Sequence, residues 1–373
     1  MTTKEQAEIF ALYESLRSSG GAGVLATVVR TSGSTYRRAG ARMLVTEDGR
    51  SAGLISGGCL EADLRERSAA VFAAGKPLLV TYDSTSPDDI LWGLGLGCTG
   101  VAHVLLEHVS GPGECRVIEF LEECRRSRCA GAIAVPYVLS GNGPVLTEPR
   151  VFLREGDAPR EDGSGHAGEL RRACMSALEA RKSSCIPLAF PGGKAEAYIE
   201  YVPPPVTLMI FGAGPDAGPL VRLAKELGWH VTVTDGRPAY LRREFLPLAD
   251  ELLLSHPAEA SETPPIPRGA AVVIMTHNFN NDVAIAGRLF RSGAAFIGLL
   301  GPRAKADMLM ARLEADGIVP TSEELARFHS PVGLDIGAET PEEIALAIVA
   351  EIQAALHDRA GGALRLRDGP IHR

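Results

Sequence analysis

The sequence predicts an α/β protein, with a mixed α/β N-terminal domain followed by a Rossmann-type, doubly wound parallel sheet. Three observations carry that expectation. The apolar run 206–211 is followed by Gly212-Ala213-Gly214-Pro215-Asp216-Ala217, which fits G-x-G-x-x-G/A with Gly212, Gly214 and Ala217 at its three positions. A helical stretch to Leu227 and a strand over 230–234 then lead to Asp235, the acid about 20 residues on that completes a dinucleotide-binding unit. Finally, 373 residues exceed one ordinary core, and Pro203-Pro204-Pro205 is a stiff extended connector where one domain can end. The predicted divisions are 1–202, the linker 203–205, the Rossmann-type domain 206–357 and a flexible tail 358–373.

Composition narrows the function classes. A hydrophobic content of 45% with 23% charged residues reads as globular. The net charge of −8, without an extended basic run, argues against nucleic acid as a partner. Residues 1–8 are polar and hold no apolar leader, and no apolar run approaches the ~20 residues of a membrane span. Seven cysteines, none in a C-x-x-C pair, fit reduced thiols in a cytoplasmic protein better than a disulfide scaffold or a structural zinc site.

In chain order, Ile9, Leu12, Tyr13 and Leu16 form one face of a short helix that Gly20-Gly21 ends, and 24–29 is a strand. The stretch 30–42 is a loop dense in hydroxyls and guanidinium groups. Arg30, Arg38 and Arg42 could hold phosphate there through bidentate forks; a solvated loop is the other reading. Strands 43–46 and 52–55 flank Asp48-Gly49, a hairpin signal. That hairpin delivers Ile55-Ser56-Gly57-Gly58-Cys59-Leu60-Glu61. Gly57 and Gly58 permit a sharp turn whose N–H groups suit an anion, and Cys59 falls near the N-terminus of a helix over 60–74, which favours thiolate. A similar feature, Gly97-Cys98, leads into the strand 101–106. Both turns fit a soft-ligand or sulfur-handling site, with Cys59 as the candidate metal ligand, and both also fit small buried side chains packed beside glycine.

Beyond these, the sequence predicts a helix over 114–126 and a strand pair, 132–139 with 145–147, joined by Gly141-Asn142-Gly143. A loop over 154–168, a helix over 169–181 and a strand over 198–202 follow. Cys115, Cys124, Cys129, Cys174 and Cys185 lack glycine or basic turn partners and read as core or surface residues. In the second domain, the strand 271–275 ends at Thr276-His277, a helix starts at Asp282, and the strand 295–300 ends at Gly301-Pro302-Arg303. These ends should converge on the crevice at the strands' carboxyl edge. Asp235 could accept from a ribose hydroxyl or cap a turn. His277 could be an acid–base group, a cofactor contact or a satisfied loop histidine. Arg303 and Lys305 could hold an anion or merely start a helix. Asp216, in the first turn after the glycines, would repel a phosphate, and Pro215 and Pro219 remove two N–H groups. Thr340-Pro341-Glu342-Glu343 caps a helix over 344–356.

The stretches ATVVRTSGSTYRRAGARMLV, ISGGCLEADL, GLGLGC, IFGAGPDAGPLVRLAKELGWHVTVTDGRPAY, VVIMTHNFNND, FIGLLGPRAKADML and SPVGLDIGAETPEEIALAIVAEI resemble the xanthine dehydrogenase accessory factor (XdhC/CoxI) family. The resemblance implies a molybdenum-cofactor-binding chaperone. Such a protein receives the molybdopterin cofactor, keeps it stable while a cysteine desulfurase installs a terminal sulfido ligand, and inserts it into an apo molybdenum hydroxylase such as xanthine dehydrogenase. It implies Gly57, Gly58 and Cys59 as cofactor contacts, Gly97-Cys98 as a second cysteine site, and Arg30, Arg38 and Arg42 as phosphate or pterin contacts. The GAGPDAG turn carries Pro215 where part of the family carries histidine. Two other readings stand beside it. One is an NAD(P)-dependent oxidoreductase that holds its nucleotide in the second domain, with Gly212, Gly214, Asp235, His277 and Arg303 as candidate contacts and Cys59 or His277 acting on substrate; the other is a nucleotide-sensing scaffold. A homodimer could set the crevice of one copy against the N-terminal site of the other, though no residue pattern decides it.

Overall fold

Successive residues of the long N-terminal strands point to opposite faces, and both faces are apolar, so each sheet must be covered on two sides. The computed structural model describes residues 1–58, 60–84, 100–110, 115–141, 149–157, 165–189, 193–256 and 264–368. It divides the chain into Met1–Pro205 and Val206–Arg373. The first unit opens with α1 (Thr3–Ser19), β1 (Ala22–Gly33), β2 (Arg42–Thr46), β3 (Ser51–Gly53), α2 (Glu61–Ala74), β4 (Leu78–Asp83) and β5 (Gly100–Ser110). It continues with α3 (Arg116–Ser127), β6 (Gly131–Gly141), β7 (Val151–Arg154), α4 (His166–Ala180), β8 (Ser184–Leu188) and β9 (Gly193–Val202).

The strands form two antiparallel sheets, five-stranded β3-β2-β1-β5-β4 and four-stranded β7-β6-β9-β8. In β1, Val24, Ala26 and Val28 pack with Leu64 and Val71 of α2, while Leu25 and Val29 face a core shared with α1 and α3. In β6, Ile133, Val135 and Tyr137 join that shared core, whereas Ala132, Ala134 and Val138 pack with Leu170 and Cys174 of α4. The layers therefore run α2, sheet, α1 with α3, sheet, α4. Helix α1 starts at a capping box in which Thr2 and Glu5 satisfy each other's backbone N–H groups.

The second unit contains β10 (Thr207–Phe211), α5 (Ala217–Glu226), β11 (His230–Asp235), β12 (Glu251–Leu254), β13 (Ala271–Ile274) and α6 (Phe279–Phe290). After these come β14 (Phe296–Leu299), α7 (Arg303–Ala315), α8 (Ser322–Leu325), β15 (Phe328–His329) and α9 (Pro341–Ala355). All strand pairs are parallel in the order β12-β11-β10-β13-β14-β15, the 3-2-1-4-5-6 order of a Rossmann sheet. Leu208 and Ile210 face α5 and α9, while Met209 and Phe211 face α6 and α7, so the sheet is covered on both sides. Helix α9 begins with Thr340 as N-cap, Pro341 in its first turn and Glu343 closing a capping box.

Several elements differ from expectation. Strand β1 runs to Gly33, so Arg30 lies in a strand and not in a loop. Strand β6 pairs with β7 and β9; the partner expected at 145–147 lies outside the described residues. Strands β7 and β12 escaped the sequence reading because four-residue runs carry too little alternation to stand apart from loops.

Arg42, expected to contact phosphate, is a structural residue. Its side chain is 0% exposed and meets Glu200 of β9: Nη1 donates to Oε1 at 2.8 Å, Nη2 to Oε2, and Nη1 also to the Gly40 carbonyl at 3.1 Å. Burial favours deprotonating this guanidinium, yet the Glu200 carboxylate outweighs it and holds the group firmly charged. Removing one partner strands the other charge, so Arg42→Met and Glu200→Met should each cost roughly 3–5 kcal/mol in urea unfolding. The double variant should recover much of that loss; singles whose costs simply add in the double would show that the pair is not coupled.

Candidate functional site

In the first unit, the turn selected from sequence is clasped from beneath. The Glu61 carboxylate, at the start of α2, accepts from the Ile55 N–H at 3.2 Å, the Ser56 N–H at 2.7 Å and the Ser56 hydroxyl at 2.6 Å. Ser56 Oγ in turn accepts from the Leu60 N–H at 3.0 Å, doing for the helix start what no N-cap side chain does. Burial pushes the Glu61 carboxyl up, but the Ser56 hydroxyl and the backbone N–H groups outweigh it and hold it below its ordinary value of 4.5. Above this clasp, Gly57 and Gly58 are exposed, and Gly58 has φ +110°, a conformation that side chains resist. Tyr36 lies over the turn: a Cβ on Gly57 would stand 3.3 Å from its ring.

Ser84 and Gly100, the described residues on either side of the second cysteine feature in the sequence, are joined to each other. Ser84 and Gly100 join through Ser84 N–H and Oγ–H to the Gly100 carbonyl, at 3.0 and 2.7 Å, and through the Gly100 N–H to Ser84 Oγ at 3.0 Å. Gly100 pairs with Gly33 at the end of β1, and a Cβ there would lie 2.5 Å from the Ser34 carbonyl oxygen. Ser84 and Gly100 therefore stand beside the loop that carries Ser34 and Tyr36. Cys59, Gly97 and Cys98 themselves lie outside the described residues.

The basic residues expected here divide. Arg30 donates to Glu196 at 2.7 Å and keeps 40% of its side chain exposed; Glu196 also accepts from Tyr137. His103, opposite Arg30 across β1 and β5, is held below its usual range by burial first and by the Arg30 charge second. Arg37 forms a bidentate pair with Glu5 at 2.7 and 2.9 Å. Arg38 is exposed and makes no ion pair among the described residues, so it is available to a ligand. Cys115, Cys124 and Cys174 are buried, each with its thiol pushed up to about 12 by burial, which leaves them inert. Among the described residues no three His, Cys, Asp or Glu side chains gather as a metal site.

In the second unit, a cleft of about 380 Å³ opens at the carboxyl ends of β10, β11, β12 and β13. Phe211, Thr234, Asp235, Gly236, Arg237 and His277 are among its lining residues. Gly212 has φ +120°, and a Cβ there would lie 2.3 Å from the Met275 carbonyl oxygen, so only glycine lets β10 and β13 close together at this point. The His277 ring lies over Gly214, 3.7 Å from where a Cβ would sit, and Nε2 stands 3.3 Å from Asp216 Oδ2. This pair covers the glycine turn where a dinucleotide's pyrophosphate would rest.

Asp235, expected to accept from a ribose hydroxyl, is already filled. Oδ2 accepts from the Ala213 N–H and Arg237 Nη2, both at 2.8 Å; Oδ1 accepts from the Arg237 N–H and Nε, both at 2.9 Å. Those four bonds use the lone-pair sites of a carboxylate. Burial pushes the carboxyl up, but Arg237 and the backbone donors prevail and keep it below its usual range. Arg303 is exposed at the start of α7 and does not line the cleft, while Lys305 is bound to Asp282 at 2.6 Å and the Leu300 carbonyl at 2.9 Å. The sequence reading missed Arg237, Ser255 and His256. The signal for Arg237 was present, an arginine two residues beyond the strand-ending acid, but Ser255 and His256 follow the overlooked strand β12.

Comparison with known proteins agrees with the two-unit description. Residues 208–352 match the XdhC Rossmann domain model, and residues 16–83 match that of the XdhC and CoxI family. A Bacillus subtilis protein named as a probable xanthine dehydrogenase subunit is 38% identical over 330 residues, covering 88% of this chain and 92% of its own. The Escherichia coli molybdenum cofactor insertion chaperone PaoD is 25% identical over 354 residues, covering 94% of this chain and 89% of its own. A Bacillus halodurans crystal structure described as a xanthine dehydrogenase superposes with a TM-score of 0.74 at 32% identity, covering 98% of both chains.

The Glu61 clasp is testable by pH. A depressed carboxyl contributes stability that is fully present above its ordinary 4.5 and is lost as pH falls below that value. Glu61→Gln places an amide against N–H and O–H donors and should cost about 1–3 kcal/mol near pH 7. Melting curves from pH 7 to 3.5 should show that deficit shrinking as wild type loses its carboxylate. A deficit constant across the range would assign the effect to packing instead.

Proposed function

The chain belongs to the XdhC and CoxI family, and from that premise we propose that it is a chaperone of the molybdenum cofactor. It takes up the molybdopterin cofactor as cargo, shelters it while a cysteine desulfurase installs sulfur, and passes it to an apo molybdenum hydroxylase. The observation that carries the reading is likeness along 94% of the chain to a cofactor insertion chaperone. A braced turn in this chain leads straight into Cys59.

The chemistry of the turn supports it. Molybdenum and its sulfur ligands are soft, and a thiolate is a fitting neighbour for them. The exposed N–H groups of Gly57-Gly58 and the guanidinium of Arg38 suit the phosphate of the pterin, and the Tyr36 ring offers a flat face to its heterocycle. Bracing by Glu61 keeps the turn in one shape, so cargo binding does not have to order it. The proposed setting is the cytoplasm; no helix among the described residues is long and apolar enough to cross a membrane. A homodimer remains part of the proposal, to be read from sedimentation.

The relatives named as xanthine dehydrogenase favour a second reading, in which the chain is itself part of an oxidoreductase. One experiment separates the two. Purified wild type and Cys59→Ala are incubated with molybdenum cofactor, desalted and oxidised, and the retained fluorescent pterin is measured. Wild type should retain pterin saturably, with at least a tenfold loss in the variant, and the loaded protein should activate apo-hydroxylase. Equal retention would keep the function and move the seat away from Cys59. No retention, together with xanthine-dependent reduction of NAD by the protein, would overturn the chaperone reading.

A further inference from the structure

The cleft of the second unit contains two buried hydroxyls that the fold leaves unused. Thr234 at the end of β11 and Ser255 just beyond β12 are each 1% exposed, and both line the cleft. Neither hydroxyl oxygen has a hydrogen-bond partner among the described residues. Leaving a buried hydroxyl unmade costs free energy, and a ligand oxygen within the cleft would satisfy it. Beside them is Arg237, which gives Nε and one Nη2 donor to Asp235 and rests on the Tyr240 ring at 4.2 Å. Its side chain is 48% exposed, and its remaining N–H groups have no partner among the described residues. His256 packs against Gly236, its Nδ1 3.1 Å from where a Cβ would be, and adds a polar ring to the same wall.

In a Rossmann sheet this wall, at the end of the second strand, faces the ribose of the nucleotide's first half. A free ribose diol is recognised there by a carboxylate with open lone pairs. Asp235 has none, since four N–H donors fill it. An arginine beside the acid with donors to spare is instead the device that holds a phosphate on the ribose. Two carboxylates stand nearby: Asp216 does not line the cleft and lies 3.3 Å from His277, while Asp235 does line it, with its charge met by Arg237 and by the backbone N–H groups of Ala213 and Arg237. A volume of about 380 Å³ suits a single nucleotide, at the small end of the range for ligand pockets.

We propose that this cleft binds an adenine nucleotide whose ribose carries a phosphomonoester, and that it discriminates against the same nucleotide with a free ribose diol. The unused guanidinium donors of Arg237 take the phosphate, and the Thr234 and Ser255 hydroxyls donate to ligand oxygens. The inference is independent of where the molybdenum cofactor sits. The ligand could arrive as 2′-phosphoadenosine 5′-phosphate or as the matching half of NADP(H), and the two are told apart by direct titration.

The full-length protein is titrated calorimetrically with 2′-phosphoadenosine 5′-phosphate, 5′-AMP, NADPH, NADH and inorganic phosphate. The 2′-phosphorylated probe should bind at least tenfold tighter than 5′-AMP, and NADPH tighter than NADH if the whole dinucleotide is accepted. Arg237→Met should abolish the preference while weak binding of 5′-AMP persists. Should that variant fail to fold, Ser255→Ala, which removes a single oxygen, should weaken the 2′-phosphorylated probe severalfold. Binding of 5′-AMP equal to or tighter than the 2′-phosphorylated probe would overturn the proposal, as would inorganic phosphate competing at the probe's own concentration. Failure of all probes to bind at millimolar levels would also overturn it, whatever the outcome of the pterin experiment.

Discussion

The contact on which the first unit depends is the buried ion pair between Arg42 and Glu200. It joins β2 of one sheet to β9 of the other, across the layer that holds α1 and α3. Charges taken so far from water are tolerable only when each fills the other's hydrogen-bonding capacity, and the bidentate geometry with the Gly40 carbonyl comes close to that. One donor, Nε, has no partner among the described residues, which marks the pair as a constraint on sheet registry more than a gain in stability. In the loop before β2, Tyr36 lies against Gly57 and the Ser34 carbonyl lies against Gly100.

The second unit uses its charges by the same logic. The acid at the end of β11 is occupied by its own neighbour Arg237 and by the Ala213 N–H of the glycine turn. That arrangement ties the glycine turn to β11 and stiffens the crevice before any ligand arrives. It also converts a diol-reading position into one that presents a guanidinium. Deeper in, Asp282 takes the Thr276 hydroxyl at 2.5 Å and the Lys305 ammonium at 2.6 Å, locking the start of α6 to α7. Arg237 and Lys305 thus serve the frame first, and only donors left over are open to chemistry.

Legibility in the sequence followed the range of each interaction. Local signals were read correctly: the glycine fingerprint opening α5, the Asp48-Gly49 hairpin, and the Thr340-Pro341 start of α9 all depend on residues a few positions apart. Distant pairing was not legible. Nothing near Arg42 announces a carboxylate 158 residues away, so a buried strut looked like a ligand contact. Arg30 was placed in a loop for the related reason that β1 is longer than its apolar run, and its partner Glu196 is 166 residues away. For Asp235 the pattern located the acid and left a ribose contact or a turn cap open; that Arg237 folds back on it could not be read from the sequence.

These differences bear on how the two candidate sites should be weighed. At the Gly57-Gly58 turn the fold supplies rigidity from below, through Glu61 and Ser56, and leaves the upper surface uncommitted. A surface of that kind can accept a large, partly exposed cargo and release it again, because binding gains nothing from closing a cavity. In the second unit the polar groups are buried and face inward, which suits a small ligand held more completely. The two candidate sites thus differ in kind, one an exposed turn and the other a cleft lined by buried hydroxyls. The chain places them in different units, so each can be altered by substitution without dismantling the other.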